Sequence, residues 1–175
     1  LAENKALVKA WPGVVEATNL IGSDQIQSRA TMVGNLCNAS PAADSVPAMV
    51  AAGAKAVVVG QKRRTVAVEN VVTGPGTLSL ARDEIIESIT LPKGGANVGD
   101  AYLRFIPRTE MDIAVVGAGI CITLSKGVVA KAKVVLGAVA PTVVVVPDAA
   151  KAIIGTKLDA AALEKLAEAC SAACN

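Results

Sequence analysis

Residues 30–44 read ATMVGNLCNASPAAD and concentrate short polar side chains in an otherwise Val- and Ala-rich chain. Thr31, Asn35, Asn38 and Ser40 offer short donors and acceptors, and Asp44 adds a carboxylate, which only accepts when ionised. Gly34 has no Cβ and lets a ligand approach the backbone. No Lys or Arg stands in the ten residues after Arg29, so the local sequence gives Asp44 no ion-pair partner. Such a set suits a polyhydroxylated ligand, with hydroxyls on Asp and Asn and phosphates on backbone N–H groups. It does not suit hydrolysis, because nothing nearby could activate Ser40. The same residues also read as an Asn-rich loop followed by a Ser-Pro or Asp helix cap. Residue chemistry alone leaves both readings open.

The rest of the chain excludes several kinds of chemistry. It has no His, which removes the commonest general base and the commonest zinc ligand. Cys37, Cys121, Cys170 and Cys174 match no zinc or iron–sulfur spacing and read as small buried hydrophobes in a reducing compartment. No metal site and no catalytic acid or base is expected. VVGAGI at 115–120 invites a dinucleotide fingerprint, but Ile122 stands where the third glycine belongs and no helix pattern follows. It reads instead as a strand whose glycines sit at a crowded crossing. Net charge is +2 with scattered Lys and Arg, and Trp11, Tyr102 and Phe105 are the only aromatics, so no nucleic-acid surface is expected. Charges interrupt every apolar run before the roughly 18 residues of a membrane span. A mean hydropathy of +0.51 implies buried strands and surface that a partner covers.

Several elements would position these residues. Helices are expected over 2–10 and 13–21, parted by Trp11-Pro12-Gly13 and closed by Gly22. Another should start at Ser40-Pro41 or Asp44-Ser45 and stop near Gly53. Val-rich runs on either side of Gly60–Arg64 predict a hairpin with a basic tip. A strand follows at 83–92, and KGGANVG at 93–99 is a flexible boundary. Beyond it, 113–125 and 128–139 should form an antiparallel pair, followed by helices near 147–154 and 160–174, the last capped by Asp159. The fold class is α+β: an antiparallel sheet with helices over 1–95, then a smaller domain over 96–175 of a short antiparallel sheet packed with helices.

The segment 21–49, IGSDQIQSRATMVGNLCNASPAADSVPAM, resembles the FAD-binding medium subunit of the molybdenum hydroxylases, the xanthine and carbon monoxide dehydrogenase family. That family carries R-N-x-A-T-x-G-G-N-L-x-x-A-S-P-x-x-D at this place. GPGT at 74–77, DEIIESITLP at 83–92, YLRFIPRTEMDIAVV at 102–116 and VVLGAVAPT at 134–142 match further family segments in order. The resemblance implies an oxidoreductase subunit that binds FAD. Electrons from a molybdopterin cofactor in a large subunit would pass through [2Fe–2S] clusters in a small subunit to FAD, then to an external acceptor. It also implies a cytoplasmic dimer of heterotrimers.

By position in that family, Thr31, Met32, Val33, Gly34 and Asn35 line the loop around the flavin and its phosphates. Asn38 and Asp44 hydrogen-bond along the ribityl or flavin side, and Ile86 touches the isoalloxazine. Arg104 places a cation that favours an anionic reduced flavin. The competing readings are a core residue for Ile86 and a surface charge for Arg104. Arg108 and Asp112 read as a structural pair. Two departures stand out. Val33 replaces a family glycine, so a left-handed backbone there would be strained. The family's second Gly-rich loop has no counterpart before residue 18, and the chain stops at Asn175, so a fragment truncated at both ends is expected, with weak FAD binding on its own. The alternatives are a cofactor-free scaffold that keeps only subunit docking, and a flavin reductase-like domain using nicotinamide directly.

Overall fold

A computed structural model describes residues 1–109 and 111–174; Glu110 of the 102–116 segment and Asn175 lie outside the described residues. Helix α1 (Lys5–Ala10) starts at Asn4, whose side chain accepts the Leu7 N–H at 3.1 Å. Helix α2 (Pro12–Asn19) opens on Pro12, whose missing N–H costs nothing in a first turn. Gly22 takes the left-handed conformation, φ 54°, and turns the chain out of this helix. Two short helices follow, α3 (Asp24–Gln27) and α4 (Met32–Cys37), the second inside the 30–44 stretch that also read as an Asn-rich loop. Helix α5 (Ser45–Ala51) ends at Gly53, φ 74°, as its sequence indicates.

Strands β1 (Lys55–Val59) and β2 (Arg63–Ala67) form the expected hairpin, and β5 (Ile85–Thr90) pairs antiparallel with the other edge of β1. Between them β3 (Val72–Gly74) and β4 (Thr77–Leu78) close a small hairpin around Pro75-Gly76. The amide of Gly76 donates to the Ala39 carbonyl at 3.0 Å, which ties this turn to the end of α4. A second antiparallel sheet runs β6 (Val98–Phe105), β7 (Val116–Ser125), β8 (Val128–Gly137), β9 (Val144–Val145), in that spatial order. Helices α6 (Pro147–Ile153) and α7 (Ala160–Ala172) close the chain, and Asp159 caps α7 by accepting the Ala162 N–H at 3.0 Å.

The four-stranded sheet is covered on both faces. Tyr102, Gly117, Gly119, Val135 and Gly137 turn toward α2 and α5, and the alternate residues Ala118, Val134 and Leu136 turn toward α6 and α7. The glycines of VVGAGI allow the first contact: a Cβ on Gly119 would lie 2.7 Å from the Pro47 carbonyl carbon. The motif is therefore a strand under a close-packed helix, with no phosphate-binding turn.

Helix α2 lies along the free edge of β6, where a Cβ on Gly13 would meet the Ala101 backbone at 2.6 Å. The two elements exchange hydrogen bonds. Val14 N–H donates to Asp100 Oδ2 at 3.0 Å, and Tyr102 N–H donates to Glu16 Oε2 at 3.0 Å. This covers the strand edge. It also joins the two halves of the chain, whose main core mixes Trp11, Met49 and Val58 with Tyr102 and Val135. Trp11 Nε1 adds a bond to the Pro92 carbonyl at 3.0 Å. No helix among the described residues is long and apolar enough to cross a membrane. The four cysteines are free; three are half-buried and Cys174 is exposed, so none is the buried hydrophobe expected.

Candidate functional site

Asp44 stands at the start of α5 but makes no cap bond there. Its carboxylate turns inward. Tyr102 Oη donates to Oδ1 at 2.9 Å, and Arg104 Nη1 donates to Oδ2 at 3.0 Å and to the Leu20 carbonyl at 2.8 Å. The Asp44 and Arg104 side chains are only 10% and 8% exposed. Burial pushes the Asp44 carboxyl above its ordinary range, against the bonds from Tyr102 and Arg104 and the Arg104 charge. Burial and the facing carboxylate push the Tyr102 phenol up, so it stays a donor. Tyr102 fits because residue 117 is glycine: a Cβ there would lie 2.3 Å from the hydroxyl.

A row of three cavities begins at Arg104 and leads away from this network. A polar cleft of 430 Å³ is lined by Arg104, Thr109 and Met111 together with Asn19, Asp24 and Gln27 and their neighbours. A second cavity, 240 Å³, shares Asn19 and Gln27 with it and reaches Thr31 and Met32. A third, 370 Å³, shares Thr31 and Met32 and extends to Val33 and Ile89. Of the Arg104 donors, Nη1 is used internally, and Nε and Nη2 have no partner among the described residues. Among those residues no cluster of His, Cys, Asp and Glu could hold a metal ion.

The residues singled out from sequence are not all in one place. Thr31 caps α4, its Oγ1 accepting the Gly34 N–H at 2.9 Å. Met32 and Val33 form the first helical turn, whose amides have no intrahelical acceptor. Val33 is not left-handed, so the strain considered for it is absent: the valine occupies an ordinary helical position. Gly34 is exposed on the same helix. Asn35 Oδ1 accepts the Ser45 hydroxyl at 2.6 Å, and Asn38 is exposed at the end of α4. Ile86 is 8% exposed in the core under β5, whereas its neighbour Ile85 is 67% exposed. Arg104 is a buried cation and no surface charge. Arg108 and Asp112 do pair, at 3.4 Å. Residue reasoning missed Tyr102, the sole tyrosine, which shares a strand face with Arg104 two residues on. That spacing, with an Asp44 lacking any local partner, was the available signal.

Comparison with known proteins covers nearly the whole chain. Residues 1–94 match the family model described as the FAD binding domain in molybdopterin dehydrogenase, and 101–175 match the CO dehydrogenase flavoprotein C-terminal domain. The xanthine dehydrogenase FAD-binding subunit of Escherichia coli O157:H7 is 29% identical over 170 residues, 96% of this chain and 58% of that protein. The carbon monoxide dehydrogenase medium chain of Afipia carboxidovorans is 32% identical over 170 residues, 95% of this chain and 59% of that one. Among solved structures, reconstituted CO dehydrogenase from Oligotropha carboxidovorans superimposes with a TM-score of 0.89 at 29% identity, over 97% of this chain and 59% of that chain. Quinoline 2-oxidoreductase from Pseudomonas putida 86 shares the fold, with a TM-score of 0.84 at 20% identity. The chain thus spans under three fifths of the first of these curated relatives.

Proposed function

Because this chain belongs to the family of FAD-binding domains of molybdopterin dehydrogenases, an oxidoreductase family, we propose that it is the FAD-holding part of the medium subunit of a molybdenum-containing hydroxylase. In this reading, a large partner subunit would hold a molybdopterin cofactor and a small one [2Fe–2S] clusters, and FAD held by this chain would supply the redox centre between those clusters and an external acceptor. Bound FAD supplies the redox chemistry, while the protein binds and orients it and sets its electrostatic surroundings. The assembly is a cytoplasmic hetero-oligomer, a dimer of heterotrimers, and the chain divides for this work near residue 95.

The observation that carries the reading is the row of three cavities, which offers an extended ligand a continuous series of walls. Its donor chemistry fits FAD. The first-turn amides of Met32 and Val33, beside Thr31, suit phosphate or carbonyl oxygens. At the other end the unused guanidinium N–H groups of Arg104 suit acceptors on a flavin ring. Asn35 Oδ1 is engaged by the Ser45 hydroxyl, and Asn38 stands exposed at the end of α4. Asp44 acts from beneath, because both of its oxygens are engaged within the protein. Ile86 supports the sheet behind this wall from the core.

The test is the flavin content of the complex purified with its partner subunits. One FAD per chain is expected, and an Arg104→Gln complex should retain markedly less. An intact complex with no flavin overturns the reading in favour of a docking scaffold. NADH-driven flavin reduction by this chain without the large subunit would instead favour a reductase.

A further inference from the structure

Arg104 reaches the cleft from a buried position, so something must fix it there. An arginine side chain is long and loses much rotamer freedom when held in one place. Its Nη1 is anchored twice, on the Leu20 carbonyl at 2.8 Å and on Asp44 Oδ2 at 3.0 Å. The Leu20 carbonyl belongs to rigid backbone, but a carboxylate can rotate and needs a second hold. Tyr102 Oη provides it through Oδ1 at 2.9 Å. Tyr102 is itself held three ways: its ring is 3% exposed, its amide is bound by Glu16 Oε2, and its hydroxyl fills the slot left by Gly117.

We propose that Tyr102 is a positioning residue: its hydroxyl, acting through the Asp44 carboxylate, holds the Arg104 guanidinium as a fixed cation on the wall of the 430 Å³ cleft. What that cation does to a flavin rests on the function proposed above; the positioning itself does not. Around Asp44 the groups that act on it are few. Tyr102 and Arg104 act through hydrogen bonds, and Arg104 alone acts through charge. Glu16 of α2 binds the Tyr102 amide from the far side, and the titratable groups of α4 and β7 are the thiols of Cys37 and Cys121.

The hydrogen bond from Tyr102 favours the ionised carboxylate, so its strength pulls the proton affinity of Asp44 down against the effect of burial. Tyr102 is the sole tyrosine, so biosynthetic replacement of tyrosine by 3,5-difluorotyrosine alters this side chain and no other. Its more acidic phenol is a stronger donor of nearly the same shape. The experiment follows the Asp44 carboxyl by 13C NMR through an acid titration of the full chain, the signal being assigned with Asp44→Asn. Tyr102→Phe should raise the Asp44 midpoint by about one unit, a tenfold change in proton affinity. Difluorotyrosine should move it down. Shifts of opposite sign are not what a merely space-filling ring would give. An unmoved midpoint in either protein overturns the proposal. If Tyr102→Phe fails to fold, judged by the emission of the sole Trp, the difluorotyrosine protein decides alone by the same criterion.

FAD titration of the flavin-stripped complex with its partner subunits then separates the two claims. Tyr102→Phe should weaken FAD binding at least threefold, and difluorotyrosine should not weaken it. Equal affinity in Tyr102→Phe overturns the link from Tyr102 to the cleft. FAD failing to bind the unaltered complex counts against the proposed function and leaves the Asp44 titration to decide the role of Tyr102.

Discussion

Two arginine–carboxylate pairings in this molecule behave in opposite ways. On the three-stranded sheet, Arg64 grips Glu84 with two bonds of 2.7 Å, and Arg63 pairs with Glu87 beside it; both arginines and Glu87 are exposed and Glu84 is half-buried. There the Arg64 bonds, helped by the Ala81 N–H, hold the Glu84 carboxyl down to about 2. Under the four-stranded sheet, Arg104 binds Asp44 at 3.0 Å, yet the carboxyl lies above its ordinary value because burial outweighs the pairing. Residue types do not decide what an ion pair does. The balance of burial and hydrogen bonds does: the bonds to Glu84 outweigh its loss of water, and at Asp44 burial outweighs the bonds. The first pair trims a hairpin, and the buried one fixes a charge at a cavity wall.

The largest effect that could break this contrast is removal of Arg104. Arg104→Ala leaves Asp44 buried without a counter-charge and should cost about 3–5 kcal/mol by urea denaturation. A loss no larger than that of a surface change would mean water already reaches the pair. Next comes Gly119→Ala, which forces a Cβ against the Pro47 carbonyl and lifts the helix that begins at Asp44. It should cost about 1–3 kcal/mol in the same measurement. If Asp44 then titrates nearer its ordinary value, the dryness of the site depends on that close approach.

The pH dependence sharpens the contrast through sign. The folded Asp44 carboxyl lies above its unfolded value of 3.8, so its contribution to stability is complete below 3.8 and is lost as pH rises through the folded value. Glu84 is the reverse: its contribution is present above 4.5 and is lost as pH falls through about 2. Denaturation midpoints between pH 2 and 6 should therefore show the advantage of the unaltered chain over Asp44→Asn shrinking as pH rises. Its advantage over Glu84→Gln should shrink as pH falls. The smallest effect concerns salt. Molar sodium chloride should erase the difference made by Glu84→Gln and leave that made by Arg104→Ala nearly intact, because screening acts on exposed charges.

What could be read in the sequence was what short spacing decides. The Val-rich hairpin, the tight turn between β7 and β8, the Asp159 cap and the Arg108–Asp112 pair all depend on residues within a few positions of one another. Helix α4 was obscured because Gly34 sits in its middle and its cap, Thr31, belongs to a segment rich in other polar residues. The partner of Asp44 could not be read at all, since Tyr102 and Arg104 lie 58 and 60 residues away. The family pattern marked Asp44 and Arg104 as separate positions near a flavin. Only the fold joins them into one network through Tyr102.

The exchange of bonds between α2 and β6 spans 86 residues in each direction. During synthesis the amide of Val14 leaves the ribosome long before Asp100 has been made. At elongation rates of ~5–20 residues per second the helix start waits on the order of ten seconds for its acceptor. Until then the first helices have no strand edge to lie on, and their apolar side is open to the surroundings. The interval is one in which a nascent chain meets chaperones, so slower elongation over 20–100 should lower the yield of folded protein more than equal slowing after residue 105.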